Sequence, residues 1–296
     1  MDTFDITFIG HMCFNEIVPY RGKSNVSYGG SILLSTAVSS GVGKRTAVIV
    51  KMAESDKYML KSMRELGADV YIIPSKDTTY IKVIYPDENV DNREFLLEKN
   101  AGIIKINEMP KIKSKYVHLA GISNTEFDMD LIKYLRERYD HLSIDMQSIV
   151  RHVDMTTHKI SFVDDARKKE ISSLMDGIKL DIVEAKILTG FDDMEEAAKV
   201  FESWGCPEVM ITHSSGVLVR ANSKTYYEKF TNKSDVGRTG RGDTTFAAYL
   251  SYRMSHNAAE STRFAAALVS IKMETPGPFS GTLEDVIARM GNDNKL

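Results

Sequence analysis

The residues best suited to chemistry lie in the glycine-rich stretch GRTGRGDTTF, residues 237–246. Downstream of Asp243, apolar residues recur at helical intervals, which predicts that Gly240, Arg241 and Gly242 lie at the N-terminus of a helix. Glycines allow a tight turn and a close approach of the backbone to a ligand, and the free amides of a helix N-terminus favour an anion. The stretch is therefore predicted to bind a phosphate group.

Asp243 follows these glycines directly and allows two interpretations. Aspartate is among the best residues for capping a helix, so Asp243 could serve the helix alone. It could also be a general base, since an alcohol becomes acidic as its bond to phosphorus forms and a well-placed carboxylate then suffices to accept the proton. The glycine-rich stretch by itself leaves both interpretations open.

Other phosphate-binding motifs do not match. The segment VSSGVGKRT has Val38 where a Walker A loop needs its first glycine, and Arg45 where it needs serine or threonine. The dinucleotide fingerprint should follow the first strand, whereas the glycine-rich stretch lies near the end of the chain and has a different glycine order. The RGD tripeptide inside it is too short to indicate adhesion.

The elements that must position these residues alternate along the chain. Short β-rich runs, DITFIG, TAVIV, ADVYIIP, YVHLA, LSIDM, KLDIV, EVMIT and VLVRA, are predicted strands. Helices are predicted between several of them, including 57–67 with Asp56 as its cap, 130–139 and 194–205. This alternation predicts a Rossmann-like α/β fold, a mainly parallel sheet with helices on both faces.

Residues 76–100 interrupt that alternation. Two strand-like arms, TTYIKVIY and REFLLE, flank the turn-rich PDENVDN and predict a hairpin. With the irregular stretch 12–28, it would form a small β lid over the sheet edge; an ordinary surface hairpin is the alternative. Without a repeat or a clear linker, the chain is expected to form one domain of 296 residues.

Composition excludes several classes of function. The hydrophobic fraction of 43% and charged fraction of 27% are ordinary for a folded globular protein, and the net charge of -3 gives no reason to bind nucleic acid. No segment resembles a signal peptide or a membrane span, so a cytoplasmic location is expected. Two separate cysteines and scattered histidines predict no zinc or redox site.

At this point the chain resembles the PfkB family of carbohydrate kinases, which have the ribokinase-like fold. Its C-terminal signature, Asp-Thr-x-Gly-Ala-Gly-Asp, stands here as residues 237–243. The segment YGGSILLSTAVSSGVGKRTAVIVKMAESD is similar to the N-terminal signature, DIVEAKILTG to the Asn-x-x-Glu segment, and ITHSSGVLV to the nucleotide-side strand and turn. DMQSIVR and KMETPGPF look most like archaeal-type members related to inositol kinases.

The resemblance implies a transfer of the γ-phosphate of ATP to a hydroxyl group. It makes Asp243 the general base and the amides of Gly240, Arg241 and Gly242 an anion hole for the charge on the phosphoryl group. Glu184, with Asp181, would hold water around Mg²⁺ between the phosphates. Thr212 and Gly216 would lie on the nucleotide side. Without the resemblance, Asp181 and Glu184 would be an ordinary pair of carboxylates at a helix start.

The resemblance also implies an acceptor site at Asn15, Gly29, Gly30 and Asp145, over which the hairpin would close. The acceptor would be a sugar or polyol, with a nucleoside as an alternative. A non-catalytic sensor of sugars or nucleotides is the alternative from another class, although such a sensor has no need of a base at Asp243. A homodimer formed lid to lid is expected by family likeness.

Several residues depart from the family pattern within its motifs. Gly237 and Arg238 replace the Asp-Thr of the C-terminal signature, and Arg241 replaces its small central residue. Leu34 stands for the usual asparagine, and Asn15 for the aspartate that grips sugar hydroxyls. Since the anion hole uses the backbone of Arg241, we expect its guanidinium to reach a phosphate oxygen.

Overall fold

A computed structural model of the protein describes residues 3–89 and 92–292. The strands of this part of the chain are β1 (Thr3–His11), β2 (Cys13–Val18), β3 (Asn25–Gly29), β4 (Thr46–Ala53), β5 (Asp69–Ser75), β6 (Thr79–Ile84), β7 (Glu94–Lys99), β8 (Lys113–Leu119), β9 (His141–Asp145), β10 (Arg151–Val153), β11 (Lys159–Phe162), β12 (Gly177–Asp181), β13 (Glu208–Thr212), β14 (Gly216–Ala221) and β15 (Lys224–Lys229). The α-helices are α1 (Ser31–Gly41), α2 (Lys61–Glu65), α3 (Met129–Arg136), α4 (Gln147–Val150), α5 (Lys168–Leu174), α6 (Ile182–Thr189), α7 (Met194–Ser203), α8 (Arg241–Arg253), α9 (Ala258–Met273) and α10 (Leu283–Asn292). None of these helices has the length and apolar character needed to cross a membrane.

The larger sheet of the described residues has nine strands in the order β15-β14-β13-β12-β9-β8-β1-β4-β5. From β13 to β5 each neighbouring pair is parallel, which confirms the predicted alternation of strands and helices. Along β4, Ala47 and Ile49 join one hydrophobic cluster while Val48 and Val50 join another. Because successive side chains of a strand point to opposite faces, both faces of this sheet are buried.

The prediction of a mainly parallel sheet needs correction, because much of the β-structure is antiparallel. β14 runs antiparallel to β13, and β15 antiparallel to β14. In the smaller sheet of the described residues, with the order β10-β11-β7-β6-β2-β3, β2 and β6 pair in parallel and the other neighbours pair antiparallel. The links 213–215 and 222–223 are too short for a parallel crossover, which takes a dozen or more residues.

Helices cover both faces of the larger sheet, as predicted. Their buried apolar residues include Leu131, Ile171, Leu188 and Phe201 on one face, and Ile32, Phe246, Phe264 and Val286 on the other. Full burial of one such side chain contributes about 1.5–3 kcal/mol. Helix α8, which follows the glycine-rich stretch, is therefore anchored by its own apolar face.

The smaller sheet includes both predicted hairpin arms, as β6 and β7. In the turn between them, Val90 and Asp91 lie outside the described residues. The stretch 12–28, expected to be irregular, forms β2 and β3 instead, and β10 and β11 were not predicted as strands. Val26 and Tyr28 on the edge strand β3 are exposed. Closure of this sheet over a ligand, and pairing of two copies through it, stay predictions.

The predicted helix 57–67 is wrong in its first part and in its cap. Residues Glu54–Leu60 form a 3-10 helix, and α2 begins at Lys61 without a side-chain cap. The Asp56 carboxylate instead accepts a hydrogen bond from the Thr78 hydroxyl at 2.6 Å, and the same hydroxyl accepts from the Ala53 amide. Asp56 therefore joins the end of β4 to the start of the hairpin.

Candidate active site

Helix α8 begins where the glycines predict, with Gly240 as its N-cap residue. Gly240 has a φ of +76°, in the left-handed region that favours glycine. A Cβ at this position would lie 2.0 Å from Leu34 Cδ1. Leu34, which replaces the usual asparagine of the family, thus packs against the turn, and any side chain at Gly240 would displace it.

Asp243 does not cap α8. It is the third residue of the helix, and its Oδ1 accepts a hydrogen bond from the Ser31 hydroxyl at 2.6 Å. Ser31 is the first residue of α1 and follows Gly30, which has a φ of +130°. The N-termini of α1 and α8 therefore meet at the Asp243 carboxylate. This position suits a base that lies between an acceptor hydroxyl and a phosphoryl group.

The amides at the start of α8 differ in their availability. The Arg241 amide donates to the Arg238 carbonyl at 3.2 Å, so it closes the turn. The first amides of a helix lack intrahelical acceptors, and among the described residues no backbone acceptor is found for those of Gly242 and Asp243. These two amides, together with the N-cap glycine, are the groups that can face an anion.

A buried ion pair that was not predicted from the sequence lies beneath Gly242. Lys179 Nζ donates to Asp145 Oδ2 at 2.8 Å, and both side chains are almost fully buried. A Cβ on Gly242 would lie 2.5 Å from Lys179 Cε. Burial alone would lower the pKa of Lys179, but the carboxylates of Asp145, Asp243 and others raise it, so the ammonium keeps its charge.

Asp145 was predicted on the acceptor side, and the structure places it at the end of β9, fully buried. Besides Lys179, it accepts the Gln147 amide at 3.1 Å. The signal that could have found the pair is Lys179 itself, a charged residue between the apolar Ile178 and Leu180 of the buried strand β12. A buried lysine is rare unless paired, so a carboxylate partner was to be expected.

The two carboxylates predicted to hold magnesium form a capping box at the start of α6. Asp181 Oδ1 accepts the Glu184 amide at 2.8 Å, and Glu184 Oε2 accepts the Asp181 amide at 3.0 Å. Arg151 lies 3.6 Å from Glu184 Oε1. Burial and the neighbouring Asp181 carboxylate raise the pKa of Glu184, an effect opposed by Lys179 and Arg151.

Within residues 3–89 and 92–292 no group of three or more His, Cys, Asp or Glu side chains could hold a metal ion. Mg²⁺ commonly uses one or two carboxylates and completes its shell with water and phosphate oxygens. The pair Asp181 and Glu184 fits that mode. Without the resemblance to a kinase, the capping box would account for both residues.

Arg241 lies near enough to the same capping box for the Asp181 carboxylate to act on its charge. Burial lowers its pKa, and the carboxylates of Asp181 and Asp235 oppose this effect. Its guanidinium lies 5.9 Å from the Phe230 ring centre, and its buried Nε has no hydrogen-bond partner among the described residues. An unpaired buried donor is costly, so the guanidinium is suited to an anionic partner.

The residues predicted on the nucleotide side lie between β13 and β14. Thr212 is buried, and its hydroxyl donates to the Leu180 carbonyl at 3.4 Å. A Cβ on Gly216 would lie 2.5 Å from the Glu228 carbonyl oxygen of the paired strand. Packing therefore accounts for Gly216, and Thr212 ends the strand beside Asp181, its partner in the sheet register.

The residues predicted on the acceptor side lie where the two sheets meet. Asn15 is on β2 and Gly29 ends β3, with Gly29 opposite Cys13 in the register. Gly30 is the N-cap residue of α1, and a Cβ there would lie 3.0 Å from the His11 carbonyl oxygen. Gly30 precedes Ser31, the partner of Asp243, so this end of the smaller sheet leads directly to the carboxylate.

A second buried cluster near this junction was not predicted. Glu126 is fully buried and accepts the amides of His11 at 3.1 Å and Ser123 at 3.1 Å. The His11 ring lies between the Thr79 hydroxyl at 2.8 Å and the Gly102 carbonyl at 2.9 Å. Burial lowers the pKa of His11, so the neutral ring joins β1 to the start of β6.

Comparisons with known proteins agree with this architecture. No protein-family model matches the chain. A solved kinase of the ribokinase family, which depends on pyrophosphate, is 34% identical, with a TM-score of 0.88 over 96% of this chain and 99% of that one. A structure of such a kinase with a pyrophosphate analogue and myo-inositol gives 34% identity and a TM-score of 0.87, covering 96% and 99%.

A curated relative is more distant. The cytidine kinase of Thermococcus kodakarensis is 25% identical over 254 residues, which are 83% of this chain and 87% of that protein. Thus this chain is similar over 96% of its length to a kinase seen with myo-inositol, and over 83% of its length to a cytidine kinase.

Proposed function

This chain belongs to the ribokinase family of kinases, and from that premise we propose that it transfers a phosphoryl group from pyrophosphate to a hydroxyl of a cyclic polyol of the myo-inositol class. The observation that carries this proposal is the position of Asp243. Its carboxylate lies in the first turn of α8, held by Ser31 at 2.6 Å, next to amides that can face a phosphate.

In the proposed reaction, the acceptor hydroxyl oxygen attacks the terminal phosphorus of the donor. A bond forms between that oxygen and phosphorus, the bridging bond of pyrophosphate breaks, and orthophosphate leaves with the bonding electrons. The hydroxyl proton passes to the Asp243 carboxylate. A carboxylate suffices for this step, because the alcohol becomes acidic as the new bond forms.

The amides of Gly242 and Asp243 would stabilise the charge that gathers on the transferred group. Lys179 lies directly behind Gly242 and adds a buried positive charge at the same place. Fixed donors and charges of this kind act strongly when water is excluded, because they need no reorganisation during the reaction. Lys179 also donates a hydrogen bond to the Asp145 carboxylate, and this bond keeps the ammonium in position.

Pyrophosphate is proposed in place of the expected ATP for two reasons. The solved relatives that are 34% identical depend on it. In addition, Arg151 lies 3.6 Å from Glu184 of the capping box, and the Asp181 carboxylate of that box acts on the charge of Arg241. The Nε of each arginine is buried without a partner among the described residues. Asp181 and Glu184 would hold Mg²⁺ there through water, and the ion when bound would offset the charge of the phosphates.

A cyclic polyol is the proposed acceptor because the relative seen with myo-inositol matches nearly the whole chain. Asn15 would offer its amide to hydroxyl groups without adding charge. Gly29 and Gly30 would admit the ring close to the backbone, and the smaller sheet would close over it. A nucleoside is the second candidate, favoured by the likeness to a cytidine kinase.

The proposal is tested by measuring phosphorylated product from a matrix of donors and acceptors. The donors are pyrophosphate and ATP with Mg²⁺, and the acceptors are myo-inositol, other inositols, ribose and cytidine. We expect transfer from pyrophosphate to an inositol, and a loss of about 10²–10⁴ in kcat for Asp243→Asn.

The matched control is Asp193→Asn, which changes the same residue type at a helix N-terminus. Asp193 caps α7 and accepts the amides of Glu195 and Glu196, and asparagine caps equally well. This variant should keep full activity. Transfer from ATP alone would refute the proposed donor, cytidine as the preferred acceptor would refute the polyol, and full activity of Asp243→Asn would refute the base.

A further inference from the structure

Lys272 is a buried lysine that none of the roles above uses. It lies in the last turn of α9 with 1% of its surface exposed. Its Nζ donates to the backbone carbonyls of Gly237 and Thr239. Both acceptors belong to the loop that leads into Gly240, so a helix remote in sequence places an ammonium ion inside the glycine-rich stretch.

The same loop is joined to the end of α9 by its backbone. The Gly237 amide donates to the Met273 carbonyl at 2.8 Å. A Cβ on Gly237 would lie 2.0 Å from the Thr275 carbonyl oxygen and 2.7 Å from that of Lys272. This contact explains why glycine stands where the family signature has aspartate: the backbone at the end of α9 and just after it occupies the space of a side chain.

The ammonium balances dipoles that the loop brings together. Two carbonyl oxygens that converge on one point repel each other unless a cation or donor lies between them, and buried acceptors without a partner are costly. Among the described residues, the charged group that affects the pKa of Lys272 is Asp243, on α8. The nearby charged residues of the loop, Asp235 and Arg238, affect the pKa of Arg241 instead.

We infer that Lys272 is a positioning residue of the transfer reaction: its ammonium holds the loop 237–239 in the conformation that presents the first amides of α8 to the phosphoryl group. Within the described residues, the hydrogen bonds of the Lys272 ammonium go to the loop carbonyls and not to the Asp243 base. This inference rests on the proposed phosphoryl transfer. It predicts that removing the charge lowers kcat while the KM for the acceptor stays nearly unchanged.

The pH dependence offers a readout that packing alone would not change. Burial lowers the pKa of Lys272 to about 8, although the Asp243 carboxylate opposes this. Below that pH the ammonium donates to both carbonyls, and above it the neutral amine holds them more weakly. Transfer by the wild type should therefore decline above about pH 8, and this decline should be absent in variants without the amine.

The experiment compares Lys272→Met, which replaces the apolar stem of lysine but not its ammonium, with Lys272→Ala and with the exposed control Lys224→Met. We expect Lys272→Met to lose at least about tenfold in kcat and to lack the decline above pH 8. Methylammonium should restore Lys272→Ala at least severalfold, since it can occupy the vacated space and donate to the same carbonyls. Lys224→Met should match the wild type.

A second measurement separates this inference from the proposed function. Thermal unfolding with and without pyrophosphate reports on the anion site without requiring turnover. If the wild type transfers no phosphoryl group but pyrophosphate raises its Tm more than that of Lys272→Met, the proposed function fails and the positioning role stands. If Lys272→Met matches the wild type in kcat and pH profile, or methylammonium rescues nothing, the inference is overturned.

Discussion

Replacing Gly242 with alanine tests whether stability and kcat require the close approach of α8 to Lys179. The added Cβ would lie 2.5 Å from Lys179 Cε and 2.7 Å from its Nζ. Ordinary carbon contacts are about 3.5–4.0 Å, so the lysine must retreat by about 1 Å. Its hydrogen bond to Asp145 is 2.8 Å long, and a retreat of that size breaks it unless the carboxylate follows.

Two opposing effects determine the magnitude. A charge-assisted hydrogen bond contributes about 1.5–3 kcal/mol, which Gly242→Ala would forfeit. Alanine favours a helix over glycine by about 1 kcal/mol, which offsets part of the loss. We expect the free energy of unfolding to fall by about 0.5–2 kcal/mol. The loss of kcat should be larger, about 10²-fold, if Lys179 and the Gly242 amide stabilise the transferred charge.

The measurement pairs urea unfolding with initial rates at saturating donor and acceptor. The control is Gly41→Ala at the end of α1, where a Cβ would lie 3.7 Å from the Phe279 ring, an ordinary contact. This variant should be as stable as the wild type or slightly more so, with unchanged kcat. If Gly242→Ala behaved like Gly41→Ala in both assays, the role given to Lys179 would be refuted.

Two further predictions concern the same region. Gly240→Ala should cost about 2–4 kcal/mol in urea unfolding, because its φ of +76° and the 2.0 Å approach to Leu34 both oppose a side chain; adding Leu34→Ala should relieve the steric part and leave the backbone part. Burial lowers the pKa of His118 from 6.5 to about 3, although Asp243 opposes this. The His118 ring thus binds a proton more readily in the unfolded chain than in the folded protein. The contribution of its neutral form to the free energy of unfolding is complete above pH 6.5 and should be lost as the pH falls towards 3. His118→Gln should flatten that part of the curve of unfolding free energy against pH, and an unchanged slope would contradict the assignment.

The periodicity of the sequence was sufficient to predict the strands and helices that are set by side chains close together in the chain. Strand and helix alternation, and a helix start at Gly240, follow from side chains a few positions apart, and both are present. The error at Asp56 has the same origin. Sequence spacing allowed it to cap a helix, but Thr78, brought close by the start of the hairpin, takes its carboxylate instead.

The direction of β14, and the existence of β10 and β11, were missed for a different reason. An apolar run such as VLVRA predicts a strand in either direction, and its direction depends on the length of the link to its partner. β10 and β11 are short, and β11, which pairs with β10, finds its other partner in the distant strand β7, so neither carries a strong local pattern.

The glycine-rich stretch and Asp243 stood out in the sequence, since their residue types and spacing predict an anion site at a helix N-terminus, and the helix start is present. What surrounds Asp243 was decided by tertiary structure. Ser31 lies 212 positions away, Lys179 pairs with Asp145 across 34 positions, and Lys272 reaches back 35 positions to Gly237. No local period relates such residues. They meet because parallel strands end at one edge of the sheet and the helix N-termini converge there, which is set by the packing of the whole domain.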